Sequence, residues 1–438
     1  MTFSASPPTE ARPDRAKPVS RNPWTWVPTL YLAEGLPYVV VMTVSVIMYK
    51  GLGISNTDIA LCTSWLYLPW VIKPLWSPVV DLLKTRRLWI WAMQLIIGAG
   101  LAGVALTLQA PKPFQYSLAF LWLLAFSSAT HDIAADGFYM LATTEKEQAF
   151  FVGIRSTFYR IATITGQGLL VILAGTLQKR MGIGSAWAVT FGILAALFLI
   201  FGTYHRLMLP YPEKDKAGAP GSLEKFFVEF WRTFEDFFRK PRIGILLLFL
   251  LFYRFAEAQL VKMVSPFLLD DRTKGGLGLS TAQVGFVYGT VGIIALTIGG
   301  IIGGVLVSRH GLKRWLWPMV CIMHLPDAVF IYLAYAQPQN VALISTCLAV
   351  EQFGYGFGFA AYMLYMIYIA RGSHQTAHYA ICTGFMALGM MLPGMWSGWL
   401  QEAIGYQHFF VWVVLATVPG FLVVAFVPLD PEFGKKTN

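Results

Sequence analysis

Charged side chains interrupt stretches that are otherwise apolar: Glu34, Lys73, Asp132, Asp136, Arg155, Arg160, Arg254, Glu257, Lys262 and Glu351. Asp132 and Asp136 are four residues apart and so share one face of a helix. Arg155 and Arg160 follow a polar turn near residue 145. Reflecting a helical hairpin about that turn sets Asp136 opposite Arg155 and Asp132 opposite Arg160. Such an acid–base ladder can fix packing, or it can take up and release an ion. A guanidinium can also clamp a carboxylate through two parallel hydrogen bonds. That makes Arg155 the first candidate to bind a carboxylate ligand, with Arg160, Arg254 and Glu351 as further ligand-binding candidates.

Arg254 and Glu257 are three apart, so a local pair is the plain reading. Glu257 also echoes Glu34: Leu32-Ala33-Glu34 answers Phe255-Ala256-Glu257. Glu34 has apolar neighbours and no base within a helical turn. Such surroundings favour the neutral acid, which suits a proton carrier. Glu34 is therefore the first candidate for proton coupling, with Glu257 and Asp132 behind it. His131 is expected to orient Asp132, and His324 with Asp327 to serve packing. Lys73, eight residues before Asp81, is expected to extend its amine to the polar boundary. With Asp81, Arg86 and Arg87 it forms a candidate charge gate. There is no Walker sequence, HExxH or nucleophile elbow, and Thr130-His131-Asp132 has no serine nucleophile at a motif. No enzyme activity, cofactor or metal is expected. Cys62, Cys321, Cys347 and Cys382 lie far apart in apolar stretches and read as small buried residues.

The elements that must hold these groups follow from composition. Of 438 residues, 56% are hydrophobic and only 13% charged, against about 25% charged in a soluble domain. The chain has too little polar material to cover a soluble surface, which excludes a cytosolic enzyme, a nucleic-acid binder and a secreted domain. Each membrane crossing needs about 20 apolar residues. Apolar runs predict twelve helices, at 24–49, 56–80, 88–108, 115–141, 149–177, 185–208, 242–269, 281–308, 314–335, 340–370, 374–401 and 406–428. The expected organisation is a tail at 1–23, a six-helix half at 24–208, a connection at 209–241, a second half at 242–428 and a tail at 429–438. Residues 1–22 have no apolar core and do not read as a signal peptide.

The halves repeat. Gly51-Leu52-Gly53-Ile54-Ser55 returns 225 residues later as Gly276-Leu277-Gly278-Leu279-Ser280. Parallel repeats of this kind are a transporter architecture. With the N-terminus inside, inner segments hold 22 Lys and Arg and outer loops six, which predicts both termini in the cytoplasm. The net charge of +10 belongs to that bias. Within the connection, Ser222 is a candidate cap. The apolar spacing from Leu223 to Phe238 then predicts an amphipathic helix in the membrane interface.

Three segments resemble the muropeptide permease and acetyl-CoA transporter branch of the major facilitator superfamily: Gly35-Leu36-Pro37, Lys73-Pro74-Leu75-Trp76-Ser77-Pro78-Val79-Val80-Asp81, and Thr130-His131-Asp132-Ile133-Ala134-Ala135-Asp136-Gly137. Gly153-Ile154-Arg155 is similar to a further family pattern. The resemblance implies a cavity lined by the first, fourth, seventh and tenth helices. It implies a multi-pass carrier of the bacterial inner membrane that imports anhydromuropeptides from cell-wall recycling by proton symport. It singles out Lys73, Asp81, Asp132, Asp136 and Arg155. The expected partners are a glycan or glycopeptide substrate, protons and lipid, with the protein a monomer and no nucleic acid. The alternatives are a carrier of another sugar, glycoside or CoA-type anion, or a non-transporting membrane sensor.

Overall fold

The computed structural model describes the backbone of residues 21–216, 222–372 and 374–435. The described chain is helical, and ten helices are long and apolar enough to cross a membrane. They account for the twelve expected crossings once two departures from regular helix are counted. The second span, 56–83, is broken into Asn56–Trp65, Leu68–Val71 and Lys73–Leu83. Pro69 and Pro74 each sit in the first turn of a new segment, where a missing N–H costs nothing. The eleventh and twelfth spans run together in Gln375–Phe426 and are divided at Gly405, whose φ of 76° is open to glycine. The other spans are Pro23–Gly51, Arg86–Thr107, Pro113–Ala142, 145–181, Ile183–Met208, Ile243–Leu269, Thr281–His310, Leu312–Ala336 and Val341–Ala370.

The seventh span is also interrupted, between Ile243–Phe252 and Phe255–Leu269. The first, fifth and eighth spans each contain a π-helical stretch, at Val40–Val44, Ile164–Leu170 and Gly285–Gly292. Such stretches gather at functional sites. Two of the three lie on a seam between the halves.

The halves meet along two seams, second span against eleventh and fifth against eighth. Counting six spans per half, these are the same pair of positions exchanged, as a parallel repeat requires. Backbone touches backbone at both seams. A Cβ at Gly398 would lie 1.9 Å from the Asn56 carbonyl oxygen, and one at Gly289 would lie 2.0 Å from that of Gln167.

On the side away from the 209–241 connection, polar bonds lock the halves together. Lys50 Nζ lies 2.8 Å from Asp270 Oδ1. Asn56 Nδ2 donates to Gln401 at 2.5 Å and to the Tyr406 hydroxyl at 2.9 Å, and Tyr406 donates to Asp270 at 2.6 Å. The Asn56 amide donates to Glu402 at 2.7 Å.

The connection contains the expected helix, Ser222–Phe238. The expected Ser222 cap and the side chains of 222–227 lie outside the described residues. Phe237 is fully buried and stacks on Phe385 of the eleventh span. Part of the apolar face therefore rests on protein, because the eleventh span reaches the connection.

Candidate functional site

Four spans of the first half bring five charges together. Gly35 lets the first span close on the fifth, since a Cβ there would meet that of Ala162 at 2.8 Å. This close approach sets Glu34 beside Arg155. The fifth span starts cleanly: Thr144 caps it and Glu147 reaches back to complete a capping box. Arg155 bonds Asp136 as expected. Its guanidinium also lies 4.2 Å from the Tyr31 ring centroid and 4.4 Å from that of Tyr139, a cation–π sandwich. Tyr31 donates to the same Asp136 oxygen at 3.2 Å.

The second rung differs from the expectation. Asp132 does not pair with Arg160. Its Oδ2 lies 3.6 Å from Lys73 Nζ and accepts from Trp70 Nε1 at 3.1 Å. The proline breaks in the second span carry Trp70 and Lys73 to this position, and a reflected two-helix hairpin cannot represent a third helix. Arg160 makes no ion pair among the described residues and lies within electrostatic reach of Tyr355 in the other half. Side-chain exposure falls from 45% at Asp136 to 15% at Asp132. The row therefore runs inward from an opening on the side of the chain termini. At its inner end Glu34 is buried, with Oε2 lacking a hydrogen-bond partner. Asp136, Asp132, Arg155 and Lys73 all lie within electrostatic reach of it.

Facing this row, the second half presents Arg254 at the break in the seventh span. It bonds the Tyr355 hydroxyl, and its guanidinium carbon lies 4.8 Å from the Phe359 centroid. The expected local pair with Glu257 does not form; the break turns Arg254 toward the tenth span instead. Tyr38 and Tyr67 of the first half are close enough to interact with its charge. Two arginines and three tyrosines thus face one another across the seam. Lys262, buried nearby, donates to Thr63 of the other half at 2.9 Å. A groove of about 430 Å³ lies elsewhere, lined by Val291, Ala295, Ile298 and Phe353 among others. Its ionisable groups are none, so it offers no comparable chemistry.

Other expectations need correction. Glu351 does not join the arginines. It lies buried with Glu257 and Asp327, one oxygen of each within 4.8 Å of the others. Asp327 with His324 is thus part of a charged interior cluster, not peripheral packing. His131 does not orient Asp132. It bonds Gln94 at 2.9 Å, and Gln94 bonds His205 at 2.8 Å, closing a buried polar chain that ends on Thr29. Lys73 leaves the expected gate for Asp132. Arg86 and Arg87 hold the start of the connection, through amide bonds to Asp215 at 2.8 and 3.0 Å. Arg87 also lies 3.8 Å over the Tyr211 ring. The Asp81 side chain lies outside the described residues.

Sequence reasoning missed Tyr31, Tyr38, Tyr67, Trp70 and Tyr355. Helical spacing could have found four of them: Tyr31 is three before Glu34 and Tyr38 four after it, Trp70 is three before Lys73, and Tyr355 is four after Glu351.

The Major Facilitator Superfamily model matches residues 29–269. A putative transporter AmpG 4 of Rickettsia conorii is 25% identical over 410 residues, covering 91% of this chain and 94% of that protein. The anhydromuropeptide permease of Escherichia coli is 26% identical over 362 residues, covering 81% and 70%. Among solved structures, a D-xylose–proton symporter superposes with a TM-score of 0.68 at 14% identity, over 92% of this chain and 97% of that one. A bacterial homologue of the lysosomal transporter Spinster, inward-facing and unoccupied, gives 0.66 at 16% identity, over 91% and 94%. These two share the fold. With the family model spanning more than half of the chain, and with two six-helix halves meeting on exchanged seams, this membrane-spanning chain belongs to the Major Facilitator Superfamily.

Proposed function

We propose that this protein is a proton-coupled importer of anhydromuropeptides in a bacterial inner membrane, with both termini cytoplasmic, working by alternating access. The observation that carries the coupling is Glu34. It is buried, lacks an ion-pair partner within 4 Å among the described residues, and ends a row of charges open to one side. Exchange of that opening to the other side would load and release a proton in step with substrate. Asp132, held by Lys73, is placed to exchange protons with it.

The substrate class rests on the relatives and on the chemistry facing the seam. A muropeptide carries carboxylates and sugar rings. Arg160 and Arg254 suit the carboxylates, while Tyr38, Tyr67 and Tyr355 offer aromatic faces for the apolar sides of sugars. Arg155 is held by Asp136 and two rings, so it serves the proton row before the ligand. The polar lock away from the connection and the opening near the termini correspond to an inward-open state.

The test is uptake of labelled anhydromuropeptide into right-side-out vesicles. Accumulation above equilibrium, driven by an acid exterior and abolished by a protonophore, is expected. Uptake that only equilibrates, or is indifferent to the pH gradient, refutes the coupling. Failure to transport anhydromuropeptide while another sugar or glycoside accumulates refutes the substrate.

A further inference from the structure

Three carboxylates of the second half converge in its interior: Glu257 on the seventh span, Asp327 in the kink of the ninth and Glu351 on the tenth. One oxygen from each lies within 4.8 Å of the others, and none of these residues is more than 1% exposed. Both oxygens of Glu257 and both of Asp327 are buried without a hydrogen-bond partner. Glu351 accepts from Gln352 Nε2 at 3.3 and 3.0 Å, one oxygen each.

A neighbour outside the acidic set points the same way. His324 Nε2 lies 3.0 Å from the Tyr253 carbonyl, which can only accept, so this nitrogen carries a proton. The break beside Arg254 leaves that carbonyl available. The other ring nitrogen, Nδ1, is buried, has no hydrogen-bond partner and sits 3.6 Å from Asp327 Oδ2. Unpartnered polar side chains of the seventh and ninth spans thus meet at one point, beside Glu351 of the tenth.

Buried carboxylates left bare are costly, and like charges add repulsion. One cation between them would relieve both. Carboxylate oxygens are hard ligands, and they suit hard cations such as sodium and calcium. Charge then selects the valence. His324 stands beside Asp327, and Arg254 lies within electrostatic reach of Glu257. Two bases are thus set against three acids, and the one acid left over favours a monovalent ion, sodium.

We propose that Glu257, Asp327 and Glu351 form a sodium-binding site inside the second half, positioned by His324 and Gln352. The site borders the break that aims Arg254 at the seam, so occupancy would bear on the substrate side through that arginine. None of this requires the proposed substrate or a proton at Glu34.

The test is equilibrium binding of radioactive sodium to the purified full chain in detergent, in choline buffer at neutral pH. Saturable binding of one ion per chain is expected. It should be lost in Glu257→Gln and Asp327→Asn and unchanged in Glu34→Gln. His324→Gln should weaken it 10–100-fold, the usual effect of removing an outer partner of a metal ligand. Size-exclusion profiles check that each variant is folded. Wild-type protein that binds no sodium overturns the proposal whatever the variants do. Binding that persists in folded Asp327→Asn and Glu257→Gln also overturns it. Because no transport is measured, failure of the importer reading leaves the result interpretable.

Discussion

The Lys73–Asp132 pair can be tested as a pair. Lys73 Nζ stands 3.6 Å from Asp132 Oδ2. At that separation and an effective dielectric constant near 20, the attraction is about 5 kcal/mol. Two features reduce it. The Lys73 side chain is 27% exposed, so water screens part of the field. Asp132 also keeps its bond from Trp70 at 3.1 Å when the lysine is removed. A coupling of about 2–3 kcal/mol is the expected remainder, below the usual cost of breaking a fully buried pair. The perturbation is a double-mutant cycle of Lys73→Met and Asp132→Asn. The assay is unfolding free energy of purified protein in mixed micelles of rising dodecyl sulfate content. Each single variant should be destabilised, and the double variant should lose about 2–3 kcal/mol less than the sum. A control cycle of Arg160→Met with Asp132→Asn should be additive within about 0.5 kcal/mol. Additivity in the first cycle would refute the Lys73–Asp132 pair, and strong coupling in the control would show that Asp132 is paired as the helical hairpin suggested.

Glu34→Gln fixes the neutral form of the acid at the end of the row; it should abolish uphill uptake while sparing counterflow exchange, and normal accumulation by a well-expressed variant would remove Glu34 from the coupling. Arg254→Gln should raise the KM for a carboxylate-bearing substrate by about 10–100-fold, the worth of one charge-assisted hydrogen bond, and an unchanged KM would take Arg254 out of the binding surface. Cysteine placed at Tyr211, which is 51% exposed, should be shielded from impermeant thiol reagents in intact cells, while cysteines at Lys112 and Lys179 should label; the reverse pattern inverts the orientation.

What the sequence determined was set by composition and by local periodicity. Apolar runs of membrane length leave one solution, helices that satisfy their own backbone. Spans, halves and connection were therefore legible without contacts, as were the recurring Gly-Leu-Gly loops. The Asp136–Arg155 rung was legible too, because both residues lie on one hairpin whose turn fixes the register. The same reasoning failed for Asp132, since its partner comes from a third helix bent by Pro69 and Pro74.

Tertiary structure alone decided which charges share a space. Glu257, Asp327 and Glu351 are separated by 70 and 24 residues, and no local spacing relates them. Their meeting depends on how the seventh, ninth and tenth spans cross, and that crossing follows from backbone breaks at Arg254 and near Pro326. The five-charge row and the tyrosines facing Arg254 are likewise products of packing between helices. Periodicity tells which face of a helix a residue occupies. Only packing tells what that face meets, because the choice among apolar partners in a membrane is made by shape and close approach, as at Gly35, Gly289 and Gly398.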